Sequence, residues 1–147
     1  MSYTAQEESN MALVLALRAA PHAERGRFMH PNLRHHRRGF AFLNDLVPNG
    51  YNGQSVSDRV DTVEDIIAKD DRVWAVWTLR GHHTGTLFGI PATGRSLEVT
   101  EMGIWRIQDG LVAEAWFFGD ELTLLRQLGL PVTTDTLAPL HPDTAAR

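Results

Sequence analysis

Asp120 stands alone where a strand-like run, Leu111 to Phe118, gives way to the helical pattern ELTLLRQL. Trp116, Phe117 and Phe118 lie just upstream, so its carboxyl group can be buried among aromatic rings. Burial raises a carboxyl pKa and makes the group a candidate for proton transfer. The same position also suits a helix N-cap, where amide donors and the helix dipole favour the ionised form. Spacing alone favours the cap; catalysis requires burial to win. His82 and His83 are the next candidates, and a regular strand turns them to opposite faces, so only one can line a pocket. Glu114 and Trp116 are two apart and share a strand face, which an extended strand would bring near Asp120. An exposed cross-strand partner of a basic residue is the commoner fate of a Glu such as Glu114. Trp77, Trp105 and Trp116 are core residues by default, although a planar ligand would use such walls.

The elements that must position these residues follow from a chain of 147 residues with 43% hydrophobic content, the size of one domain with one core. A formal net charge of -4 argues against a nucleic-acid or anionic-membrane binder, and the RHHRR run from Arg34 to Arg38 reads as solvated surface. His30, His35 and His36 lack the i, i+4 pairing of a zinc helix, so no metal is expected. The absence of cysteine excludes disulfides and thiolate chemistry. The longest apolar run, Met11 to Leu17, is too short to span a bilayer, and a cytoplasmic protein is expected. No G-x-S-x-G, P-loop or dinucleotide fingerprint occurs.

A helix is predicted over Glu8–Ala20, capped by Ser9 or Asn10 and stopped by Pro21. A helical or extended link broken by Pro31 follows, then a short helix over Arg38–Leu46 and a loop over Val47–Gly53. Alternation from Ser55, in Val56, Asp58, Val60 and Thr62 and again in Ile66 and Ala68, predicts one long strand or two short ones, turning at Lys69-Asp70-Asp71 to pair antiparallel with Arg72–His83. Ser96–Ile107 and Leu111–Phe118 form a second hairpin about Asp109-Gly110. Leu122, Leu125 and Leu128 stripe a terminal helix ending at Gly129. Helices first and an antiparallel sheet after predict an α+β domain over residues 1–131, with a loosely draped tail over 132–147.

Two segments carry a resemblance. GHHTGTLFGIPATGR resembles the Gly-Thr-His-x-Gly, loop and Ala-Thr-Gly-Arg pattern of the SnoaL-like polyketide cyclases, and WRIQDGLVAEAW followed by Asp120 and LLRQLG resembles their last hairpin and helix. The chain departs from that pattern at His82 and Val76. The resemblance implies a nuclear transport factor 2-like (cystatin-like) cone of N-terminal helices on a curved, mainly antiparallel sheet. It implies a cofactor-free, aldol-type ring closure on a hydrophobic, polyketide-like substrate, with Asp120 as general acid and base and a homodimer as the assembly. It selects His83 over His82 as the second catalytic residue and places His36 near the pocket rim. Trp116, Glu114, Trp105, Trp77 and Phe118 are the expected substrate contacts. Two alternatives stay open. One is a ligand-binding or dimerisation module without turnover, which a solvent-facing Asp120 would favour. The other is epoxide opening or hydration, using Glu114 with Arg80 or Arg106 around a water.

Overall fold

The computed structural model describes residues 2–37 and 53–130. The expected helix over Arg38–Leu46, nearly all of the Val47–Gly53 loop and the tail from Val132 lie outside them. Helix α1, Ala5–Ala19, starts earlier than the periodicity suggests because Thr4 provides the cap instead of Ser9 or Asn10. Thr4 Oγ1 accepts from the Glu7 amide at 3.2 Å and Glu7 Oε2 accepts from the Thr4 amide at 2.8 Å, a reciprocal capping box. Glu7 Oε1 also accepts from the Asp70 amide at 2.9 Å, tying the start of the helix to a distant hairpin turn. Backbone donation from Thr4 and then Asp70 holds the Glu7 carboxyl at about 2.

A 3-10 helix over His22–Phe28 leads into β1, Met29–Arg37, where the sequence suggested only a broken link. Pro31 fits there because β1 is an edge strand, whose outer side needs no amide donor. The remaining strands are β2 (Val56–Lys69), β3 (Arg72–His83), β4 (Ser96–Gln108) and β5 (Leu111–Gly119). They form one curved sheet in the order β1-β5-β4-β3-β2, with β1 parallel to β5 and every other pair antiparallel. Both expected hairpins are present. Asp109 and Gly110, at φ of 54° and 72°, make the tight turn between β4 and β5 that Asp-Gly predicts.

Helix α1 packs Val14 and Leu17 onto β2 and β3, in one core with Val73, Ala75, Trp77, Trp105 and Ala115. Gly103 makes room there: a Cβ at this position would lie 2.6 Å from Trp105 Cη2. Helix α2, Glu121–Gln127, closes a second apolar cluster with Leu97, Val99 and the loop residues Leu87 and Phe88. Its buried residues are Leu124 and Leu125, with Leu128 buried at its C-cap, whereas Leu122 is 52% exposed. The architecture is the expected α+β cone: helices on one face of a mixed, largely antiparallel sheet.

Strand β2 departs from simple alternation in a way that decides the site. Its register shifts between Ser57 and Val60 and again between Val63 and Asp65, as bulges do. Each shift exchanges the faces. Val60 becomes 60% exposed, while the Arg59 and Asp61 side chains are buried. Beyond the second shift Ile66 and Ala68 join the core.

Candidate functional site

A cavity of about 240 Å³ opens between α1, the 3-10 helix and the concave face of the sheet. Leu17, Met29, Phe117 and Phe118 supply its apolar wall, and Arg18, Arg25, Arg59, Glu101, His22 and His35 its polar lining. Trp77 and Trp105 lie beneath as a fully buried aromatic layer. Their centroids are 5.6 Å apart, and Phe117 meets both rings edge-on at 6.2 and 5.8 Å. These are favourable aromatic arrangements, and they give the cavity a stiff floor.

Three guanidinium groups from three elements converge on Asp61 at its polar end. Arg18 of α1 makes a short contact with Asp61 Oδ2, Arg25 reaches Oδ2 at 3.1 Å, and Arg59 Nε donates to Oδ1 at 2.9 Å. The Asp61 side chain is fully buried. Burial would raise its pKa, but the hydrogen bonds and charges of Arg59 and Arg18 prevail and hold the carboxyl at about 2. For Arg25 the balance runs the other way: burial, then repulsion from Arg18 and Arg59, lowers its pKa against the attraction of Asp61. Glu101 Oε2 accepts from Trp77 Nε1 at 2.9 Å and lies 3.7 Å from the Arg59 guanidinium. Arg59 therefore bridges two buried carboxylates. The Arg18 guanidinium covers the Trp77 ring at 4.1 Å, a cation–π contact.

The residues expected from sequence divide between this cavity and other places. Asp120 is exposed instead of buried among the aromatics. It is the N-cap of α2: Oδ1 accepts from the Thr123 amide at 3.1 Å and Oδ2 from the Thr123 hydroxyl at 2.7 Å. Its chain position is nevertheless beside the cavity, because Phe118 lines it and Gly119 is the cross-strand partner of Glu101. His83 is fully buried and His82 exposed, but His83 does not line the cavity. Its Nδ1 accepts from the Thr93 amide at 3.3 Å and lies 2.9 Å from the Thr93 hydroxyl. With backbone bonds to Arg95 and Gly94, it pins the loop over residues 84–95.

Glu114, Trp116 and His36 lie on the opposite face of the sheet. Glu114 accepts from Arg34 at 2.7 Å and from Arg106 at 3.2 Å, and contacts His36 Nε2 at 2.9 Å. The His36 hydrogen bond, opposed by burial and helped by Arg106 and Arg34, lowers the Glu114 pKa. Trp116 is layered between His36, at 5.1 Å, and the Arg72 guanidinium, at 5.3 Å. Strand alternation explains the displacement: His35, one residue before His36, is the β1 histidine whose side chain lines the cavity, 5.0 Å from Phe117. Of the expected contacts, Trp77 and Trp105 form the floor and Phe118 the rim. The pairs considered for a hydration site also lie elsewhere, since Arg106 holds Glu114 on the outer face and Arg80 holds Glu98 on the exposed surface between β3 and β4.

Sequence reasoning missed Arg18, Arg25, Arg59, Asp61 and Glu101. The available signal was Arg59-x-Asp61 at strand spacing, a charged pair sharing one face. Among the described residues no group of three or more His, Cys, Asp and Glu side chains is arranged to hold a metal ion, and no helix is long and apolar enough to cross a membrane.

The family model of the SnoaL-like polyketide cyclases matches residues 22–128. The chain is 36% identical over 74 residues to the aklanonic acid methyl ester cyclase DnrD of Streptomyces peucetius, a stretch that is 49% of this chain and 51% of DnrD. Thus the chain spans about half the length of the curated relatives it matches. Among solved structures, TsrD from Streptomyces laurentii superposes with a TM-score of 0.65 at 29% identity, over 89% of this chain and 100% of TsrD. AclR from Streptomyces galilaeus gives 0.70 at 26% identity, over 85% of this chain and 99% of AclR. With more than half of its length matched by that model and its cone shared with these structures, the chain belongs to the SnoaL-like polyketide cyclase family.

Proposed function

We propose that this chain is a cofactor-independent cyclase that closes a ring in a hydrophobic, polyketide-like carbonyl compound by an intramolecular aldol step, with residues 1–131 as the catalytic unit. The observation that carries this reading is one cavity with aromatic walls, a guanidinium cluster at its polar end and Asp120 two residues beyond its rim residue Phe118. The Asp120 carboxylate takes a proton from a carbon flanked by carbonyls. The resulting enolate carbon attacks a second carbonyl carbon of the same molecule; a C–C bond forms as the π pair moves onto that oxygen. The alkoxide then takes the proton back from Asp120. Conjugation in the substrate delocalises the carbanion, so the protein has to orient the chain, exclude water and donate to the enolate oxygen. Arg25 and Arg59 are the donors for that oxygen. His83 acts as a positioning residue through the loop that it pins. A second copy of the chain pairs on the outer face of the sheet, where Ile67 is 46% and Met102 38% exposed.

The test uses aklanonic acid methyl ester, the compound in the name of DnrD. Ring closure yields an isomer of unchanged mass, separable by chromatography. Asp120→Asn is expected to keep the fold and lose turnover. Wild-type turnover in that variant removes the assignment.

Two observations favour other readings of the same cavity. The exposed, capping Asp120 favours a receptacle without turnover, in which case the wild type binds the ester and returns it unchanged. The Asp61–Arg59–Glu101 arrangement favours hydration, with one carboxylate activating a water and the other donating a proton. Incorporation of ¹⁸O from labelled water into the product of an epoxide probe, absent in Glu101→Gln, identifies that chemistry.

A further inference from the structure

We propose that the loop over residues 84–95 is a pH-operated lid: the neutral imidazole of His83 latches it shut over an apolar pocket beside the cavity, and proton uptake by that ring releases it. Such a lid is additional to the cyclase reading and requires no turnover. The pocket is lined by Leu87 of the loop, by Val56, Leu79, Val99 and Leu124, and by Glu101, which also lines the cavity. Glu101 is therefore the wall that the two spaces share. About 10 Å³ is free in the pocket, no more than one water needs, so it admits no ligand while Leu87 is seated. The tip of the loop is a tight turn in which Leu87 and Ile90 exchange backbone bonds of 3.0 and 2.9 Å. Phe88 takes a φ of 50° there, a left-handed conformation that strains a bulky residue. Such a turn persists only while packing and anchors hold it.

The anchors lie at the two ends of the loop. Thr84 and Gly85 donate to the Ser55 carbonyl at 3.0 and 3.1 Å, and nothing in these bonds titrates. At the other end the Thr93 amide donates to His83 Nδ1, a pattern that assigns the one hydrogen of the ring to Nε2. Nε2 is buried without a partner and the residue is 0% exposed. A second proton would sit on Nδ1, against the Thr93 N–H, and would place a charge where water does not reach. The Thr93 hydroxyl can accept from that proton, but it already accepts from the Arg95 amide at 3.2 Å, and the clash with the Thr93 N–H remains.

The charged groups on the elements around the ring are engaged elsewhere or stand apart from it. Asp58 of β2 lies 3.6 Å from His82, Arg59 reaches Asp61 and Glu101, and Glu98 of β4 pairs with Arg80. The Arg95 guanidinium reaches the Gln127 carbonyl at 3.3 Å. Among the described residues none of these groups, nor Asp120, Glu121 or Arg126 of α2, forms a side-chain hydrogen bond or ion pair with the His83 ring. Uptake of a proton by His83 is thus linked to release of Thr93, while the backbone bonds of His83 to Arg95 and Gly94 remain as the hinge.

The chain has no cysteine, so Leu87→Cys supplies a single thiol at a position that is 1% exposed. Its reaction rate with a pyridyl disulfide is measured in the full chain at pH 7.5 and 5.5, each rate divided by that of the urea-unfolded chain at the same pH. An imidazole in water takes up its proton near pH 6.5, so the ratio is expected to rise about tenfold on acidification. Adding His83→Gln is expected to raise the ratio at pH 7.5 and to abolish its pH dependence, because the amide does not titrate. Adding His82→Gln or Glu121→Gln, which removes the neighbouring imidazole or the partly buried carboxyl of α2, is expected to keep the rise. A rise under twofold, a rise that survives His83→Gln, or one lost in His82→Gln or Glu121→Gln overturns the inference. Should the His83→Gln chain fail to fold, hydrogen exchange of the wild type takes its place: protection of the Thr93 amide is expected to fall about tenfold over the same range, and protection constant within twofold overturns the inference. Ring closure of the ester is measured separately, so either reading can fail without the other.

Discussion

Replacing Asp61 by Asn tests whether the core of the cone is organised around one carboxylate. The substitution keeps shape and one acceptor but removes the charge that Arg18, Arg25 and Arg59 share. The difference between the ordinary 3.8 and about 2 for this carboxyl corresponds to about 2 kcal/mol favouring the ionised form in the folded chain. The loss in the variant is larger, because three guanidiniums are left crowded together with little water. Removing one partner of a buried ion pair costs about 3–5 kcal/mol. At about 3–5 °C per kcal/mol for a domain of this size, Tm falls by roughly 10–20 °C. Urea unfolding at pH 7 gives the energy directly. The pH dependence gives a second signature. With its folded pKa depressed, Asp61 contributes fully above about pH 4 and loses that contribution as the pH falls through about 2. The wild type is therefore expected to lose stability between those values, and Asp61→Asn to lose less. A variant within 1 kcal/mol of wild type at pH 7, with an unchanged acid transition, refutes the idea that this carboxylate organises the core.

Other expectations follow from particular contacts. Asp120→Ala removes both bonds to Thr123 and is expected to cost about 1 kcal/mol by urea unfolding, whereas Asn, itself a good cap, costs a few tenths. Gly103→Ala pushes a methyl group into Trp105 and is expected to destabilise by about 1–3 kcal/mol, with a change in tryptophan emission. Glu7→Gln is expected to flatten the acid limb of the stability curve, because a carboxyl held at about 2 stabilises above its ordinary 4.5 and ceases to as the pH falls through about 2. His83→Gln is expected to speed hydrogen exchange at the Thr93 and Gly94 amides and leave the β4–β5 turn unaffected, since His83 meets the loop there.

Those features written in local sequence were legible before any coordinates. Asp109-Gly110 specifies its turn by its own backbone preferences, and the Lys69-Asp70-Asp71 hairpin and the terminal helix are likewise short-range patterns. Strand β1 was not legible, because its parallel partner β5 lies some 80 residues along the chain and nothing local announces that pairing. The candidate site was the least legible part. Period-two reading put Val60 on the same face as Val56, but a bulge exchanged the faces and brought Arg59 and Asp61 into the cone. The same sensitivity separates His35 from His36: adjacent residues in one strand, one in the cavity and one stacked on the outer Trp116. Glu114 and Trp116 were correctly placed on one face together, but alternation could not say which face met the helices.

The paired register shifts in β2 also make this strand an adjustable element of the scaffold. Each shift adds one residue to β2 relative to β3, so removing the extra residue at the first would let that stretch pair regularly while Val60 stayed opposite Arg80, facing solvent. Arg59 and Asp61 would keep their inward aspect. Descendants of such a gene can thus shed a codon there without turning the charged pair out of its chamber.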